Sequence, residues 1–144
     1  MSLISNKFHI YVTYNLIVEI HSGKLDLESY LNFKRKLFAH NDFQTGMNYF
    51  INLKKVEFSA STIDIEKFAA FNNKRPPFNQ RRKIALITDT PSQVVSTTIY
   101  KSLLTNKNQD IEIFTTNEKA LGWILQNNIT QKNNVILSDF PELA

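Results

Sequence analysis

Few residues in this 144-residue chain can do chemistry, and their spacing limits what that chemistry can be. Cysteine is absent, which removes disulfides, thiolate nucleophiles and cysteine-based zinc sites together. His9, His21 and His40 fall in separate segments with no HExxH or other ligand spacing, so no metal is expected. The three glycines are scattered and can form neither a GxGxxG turn nor a Walker loop. No cofactor is expected by those routes. Two hydroxyl-bearing junctions remain. Asp89 and Thr90 stand where an apolar run meets a helix start, the edge at which open α/β sheets bind ligands and helix N-termini attract anions. Pro91 removes one donor from that edge, and capping explains Thr90 equally well. Ser59, Ser61 and Thr62 precede a second helix, where a phosphate on Ser61 would add nearly two negative charges and remodel a regulatory or partner surface. Ser61 also reads simply as a cap. Glu57, Asp89 and the histidines have no spacing that predicts convergence, so an enzyme is not expected.

The elements that position these residues can be read from periodicity. Ile84-Ala85-Leu86-Ile87 is an unbroken apolar run, the mark of a strand buried on both faces. Thr90, Pro91 and Gln93 then form a capping-box start, with Val95, Ile99 and Leu103 as the expected inward stripe. Upstream, Phe8 to Tyr14 alternates apolar and polar, and Leu16 to Ile20 is a second run, together predicting a hairpin. His21 to Lys24 reads as a turn in which Gly23 takes positive φ. Asp26 caps an amphipathic helix with Leu27, Tyr30, Leu31, Lys34, Leu37 and Phe38 on one stripe, Lys34 being its sole polar interruption. Met47 to Leu53 reads as a third strand, followed by a helix carrying Ile65, Phe68 and Ala69. Lys74 to Arg81, with Pro76-Pro77, is an irregular linker. Asp110 to Thr115 is a fifth strand. Asn117 caps a last helix with Ala120, Leu121, Ile124 and Leu125 inward and Trp123 at the margin. The expected fold is α/β, a mixed and mostly parallel five-stranded sheet with helices packed on it, in the order β-β-α-β-α-β-α-β-α.

The totals agree with one packed domain: 42% apolar and 12% aromatic residues, with eleven Phe supplying much of the core volume. Residues 1–127 are read as that domain and 128–144 as a tail that is disordered, docks on a partner, adds an edge strand through Val135-Ile136-Leu137, or supports a homodimer. The net charge of +4 comes from short clusters, Lys34-Arg35-Lys36, Lys54-Lys55, Lys74-Arg75 and Arg81-Arg82-Lys83, which read as solvated surface. No nucleic-acid motif accompanies them. The opening MSLISNKFHIYV has no signal-type apolar run, and nothing approaches the roughly 18 apolar residues of a membrane span, so a soluble cytoplasmic protein is expected.

Tyr49-Phe50-Ile51-Asn52-Leu53-Lys54-Lys55-Val56-Glu57-Phe58-Ser59-Ala60-Ser61 resembles the "DLSGVEFIDSSG" region of STAS domains, the anti-sigma-factor-antagonist fold. Lys83 to Ile87 and Asn117 to Ile124 are similar to the later strand and closing helix of the SpoIIAA-like, or STAS/SEC14-like, branch. The resemblance runs to Gln126 and implies a small bacterial non-enzymatic interaction module that binds a protein partner. The alternative it implies is a SEC14-like carrier or sensor of a small apolar or lipid-like ligand. Ser61 takes the position of the phosphorylated hydroxyl, although Ala60 and Ile63 stand where that branch has Asp and Gly.

Overall fold

The computed structural model describes residues 5–58, 62–74, 80–126 and 129–143. Strand β1 (Ser5–Tyr11) turns through a short 3-10 segment, Val12–Tyr14, into β2 (Leu16–Lys24). Asn15 closes the hairpin in the left-handed region, with φ 53°, and its N–H donates to the Val12 carbonyl. An asparagine tolerates that conformation better than most side chains. Helix α1 (Leu27–Ala39), β3 (Asn48–Glu57), α2 (Thr62–Lys74), β4 (Arg82–Ile87), α3 (Pro91–Leu103), β5 (Gln109–Phe114), α4 (Asn117–Leu125) and α5 (Ile129–Asp139) follow.

The strands lie side by side in chain order, β1-β2-β3-β4-β5. β1 and β2 pair antiparallel, and the pairs β2–β3, β3–β4 and β4–β5 are parallel. The sheet is therefore α/β and mixed. Right-handed crossovers that always step in the same direction bring every connecting helix to the same face. The packing agrees. Ile17, Tyr49, Leu53, Ile84, Leu86 and Ile111 form one core with Leu37 of α1, joined by Phe68 of α2 and Tyr100 of α3. The alternate residues Leu16, Val18, Phe50, Ala85 and Ile87 point to the other face and meet Ala120, Leu121, Ile124 and Leu125 of α4. This is the period-two alternation of a sheet covered on both sides.

Several boundaries differ from those the sequence suggests. His21 to Lys24 is strand rather than turn. β2 continues because β3 carries one extra residue there, Ile20 facing Asn52 and Ser22 facing Lys55. Asn52 Oδ1 accepts from the Lys54 N–H at 3.1 Å inside that bulge. The bulge shifts the alternation by one, so Val56 joins the same core as Leu53. Gly23 does take positive φ, 83°. Val12 leaves β1 for the 3-10 turn and is 48% exposed.

The segment after residue 128 is helical, so Val135-Ile136-Leu137 adds no edge strand. Ile136 is fully buried against the α4 face, and Phe140 and Leu143 beyond it are buried too. The Tyr11 hydroxyl donates to Asp139 Oδ2 at 2.7 Å, tying β1 to the end of α5. The cap of α4 is Thr116, whose Oγ1 accepts from the Lys119 N–H. Asn117 does something else: it accepts from Asn52 Nδ2 and donates to the Leu143 carbonyl, joining β3 to the C-terminal turn.

Candidate functional site

Helices α1, α2 and α3 do not close completely on the sheet. They leave a cavity of about 100 Å³ against β3 and β4. Its walls are mostly apolar: Ile51 and Leu86 from the sheet, Ile65, Phe68 and Phe71 from α2, and the rings of Tyr30, Tyr49 and Tyr100. Tyr30 meets Phe68 edge-on at 5.2 Å and Phe71 at 6.0 Å.

Behind one wall lies a buried charge cluster. Glu19 sits in the middle of β2 with no exposed surface. Its Oε2 accepts from Lys34 Nζ of α1 at 2.6 Å, and its Oε1 lies 2.9 Å from His21 Nε2. The other ring nitrogen of His21, Nδ1, is 2.7 Å from Asn6 Oδ1. Both ring nitrogens are thus engaged within the fold. Burial alone would raise the Glu19 carboxyl, but the Lys34 ammonium and the His21 contacts outweigh it and bring it down to about 2. Lys34 also lies 4.8 Å from the centre of the Tyr49 ring. Arg82 is buried as well, donating through Nη1 to the Thr45 carbonyl and lying 6.0 Å from the same ring centre.

On the far wall Asn72 Nδ2 donates to the Tyr100 hydroxyl at 3.3 Å. Tyr100 is partly exposed as a residue, yet its hydroxyl lies in the desolvated interior. That desolvation, reinforced by Tyr30, pushes the phenol well above the ordinary tyrosine range. Neither Glu19 nor Tyr100 changes protonation near neutral pH.

The basic clusters are accordingly not uniform surface. Lys34 and Arg82 are buried. Lys83 donates to the Trp123 carbonyl at 2.9 Å and lies 5.2 Å from that ring's centre. Arg81 is exposed and makes a two-point pair with Asp110, both contacts at 2.8 Å.

Asp89 and Thr90 fall at the end of β4, both exposed, but the donors there are in use. Gln93 Oε1 accepts from the N–H groups of Asp89 and Thr90, and Thr90 Oγ1 accepts from the Gln93 N–H. This is the complete capping box. The strand order also never reverses, whereas ligand crevices at such edges form where it does. Ser59 and Ser61 lie outside the described residues, and Thr62 opens α2. His9 and His40 are exposed, His9 packing its ring on Tyr11 and His40 meeting Phe8 edge-on at 5.8 Å. Among the described residues no group of three or more His, Cys, Asp or Glu could hold a metal ion.

The face of α3 also differs from the expected one. Val95 is 59% exposed and Val94 36%, while Gln93 and Thr97 are buried. Gln93 Nε2 donates to the carbonyls of Lys54 and Val56, and Thr97 Oγ1 to that of Gln93. These satisfied polar groups share the inward face with Tyr100, so hydrogen bonding as well as apolar packing sets the rotation of the helix. Lys34 and Glu19 were the readable signal for the cavity end: each is a single charge, of opposite sign, interrupting an otherwise apolar stripe.

No protein-family model matches the chain, and no curated protein matches it. Among the described residues no helix is long and apolar enough to cross a membrane.

Proposed function

We propose that this chain is a non-enzymatic STAS-like module that acts by binding, and that the cavity under α1, α2 and α3 receives a small, largely apolar ligand. The observation that carries this reading is the cavity itself: about 100 Å³ walled largely by aromatic rings, where the lining Lys34 is already paired with Glu19 and the lining Arg82 donates to the Thr45 carbonyl. The element order through α4 supports the STAS likeness. Drug-sized ligands occupy roughly 300 Å³ or more, so the volume favours a sensor of a small molecule over a carrier of lipid. Two buried groups support the non-enzymatic part of this reading. Useful acids and bases titrate near the working pH, whereas Glu19 is held down at about 2 and Tyr100 is held protonated. Among the described residues the protein-partner reading has the exposed Val12, Val94, Val95 and Val135 behind it, and apolar residues exposed in ones and twos are ordinary surface.

Titration of the full chain with toluene, followed by amide nuclear magnetic resonance, tests the proposal. Saturable shifts confined to α1, α2, α3 and the facing strands are expected. No saturable shift up to the solubility of toluene would remove the cavity as a binding site.

A further inference from the structure

Resting on that reading, we infer that the ligand is a small, uncharged aromatic molecule carrying one hydroxyl group, phenol being the simplest example. Three observations converge on this class. The first is size. An engineered apolar cavity of about 150 Å³ takes benzene, so a cavity of about 100 Å³ takes at most one small ring and no long substituent.

The second is the shape of the wall. Tyr30 already meets Phe68 at 5.2 Å with an interplanar angle of 66°, and Phe71 at 6.0 Å and 86°. These are edge-to-face arrangements, the geometry aromatic rings prefer because the edge of one carries the charge complementary to the face of the other. A further ring extends the same cluster.

The third is a polar atom without a hydrogen bond. Asn72 lines the cavity and gives Nδ2 to the Tyr100 hydroxyl, while its buried Oδ1 has no hydrogen bond among the described residues. Buried acceptors are nearly always paired, so a donor from the ligand would complete this one. Turned by half a rotation, the same amide would accept from Tyr100 and offer an N–H instead. A hydroxyl serves both orientations, since it donates and accepts. A negative charge on the ligand is not favoured in the same way: the Lys34 ammonium is held by Glu19 at 2.6 Å, and Arg82, which also lines the cavity, donates to the Thr45 carbonyl and shares the wall with Asp64.

Phenol and toluene share a shape and differ only in hydroxyl against methyl, so their order decides the inference on the unaltered chain. A hydroxyl moved into a purely apolar cavity loses its water without replacement, and phenol would then bind at least about tenfold more weakly than toluene. With Asn72 as partner, phenol binds at least as tightly as toluene, and Asn72→Leu reverses the order by about tenfold. If toluene binds more tightly to the unaltered chain, the inference fails while the cavity reading stands. Benzoate binding more tightly than either overturns it in favour of an anion. If no member of the set binds, both readings fall. Should Asn72→Leu not fold, the order of phenol and toluene on the unaltered chain still supports or overturns the inference.

Discussion

Replacing Lys34 by Met keeps most of the apolar stem and removes the ammonium from Glu19, whose side chain has no exposure. At 2.6 Å and an effective dielectric of about 20, the lost attraction is roughly 6 kcal/mol before desolvation is counted. Bringing an ammonium into the interior offsets several kcal/mol of that, and what remains when one partner of a buried pair is deleted is about 3–5 kcal/mol. Glu19 can escape by taking a proton, at a penalty set by the distance between the pH and the ordinary carboxylate value. That penalty is about 3 kcal/mol at pH 7 and below about 1 at pH 5. Urea unfolding of Lys34→Met at pH 7 is therefore expected to show a midpoint lower by roughly 2 M, taking a slope near 2 kcal/mol/M. The deficit should shrink as the buffer is acidified to pH 5. Adding Glu19→Gln to the same chain removes the stranded charge and should recover at least half of the loss. A deficit below about 1 kcal/mol at pH 7, or a double variant no better than Lys34→Met, would refute the assignment of this pair as a buried charge cluster.

Other expectations follow from the same contacts. Because the Glu19 carboxyl is lowered to about 2 in the folded chain, its contribution is complete above the ordinary carboxylate range and is lost as pH falls through 2; acid unfolding of Glu19→Gln should lack the part of the slope between about pH 4.5 and 2. Gln93→Leu strands the carbonyls of Lys54 and Val56 and the N–H groups of Asp89 and Thr90, so a loss of about 2–4 kcal/mol is expected by urea unfolding, and a loss below about 0.5 would contradict the role given to its amide. A chain ending at Gln126 uncovers the α4 face that Ile136, Phe140 and Leu143 protect; it should bind a hydrophobic dye and unfold at a lower temperature, and unchanged melting would show that α5 is dispensable.

How legible was this in the sequence? The strands and helices up to α4 were, because Ile84 to Ile87 and the Ala120, Leu121, Ile124, Leu125 stripe are long apolar patterns that tertiary context had no reason to override. The Thr90–Gln93 capping box was legible for a similar reason, since all of its groups lie within four residues. The face of α3 was not. Its fully buried residues are a glutamine and a threonine, and what draws the glutamine inward is a pair of carbonyls some forty positions upstream. The continuation of β2 past His21 was hidden in the same way, because it depends on a bulge in β3 that only pairing reveals. The tail gave a weak signal. Among its described residues Ile136 alone is fully buried, and Val135 is 40% exposed, so no stripe announced α5. The cavity is a property of three helices at once. Lys34 and Glu19 each broke an apolar pattern, but nothing in the chain states that they meet.

The consecutive strand order bears on how the molecule assembles. Each of β3, β4 and β5 pairs with the strand made just before it, so most of the sheet forms through neighbouring segments. The contact between Tyr11 and Asp139 is different, spanning 128 positions. Closing so long a loop is slow relative to local pairing, and until it closes Leu16, Val18 and Phe50 lack part of their cover. We expect a chain leaving the ribosome to carry a formed sheet with one apolar face only partly covered until residues 129–143 emerge. Pulsed hydrogen exchange during refolding would show this as late protection of α5 and the α4 face. Simultaneous protection of α1 and α5 would show instead that both faces close together.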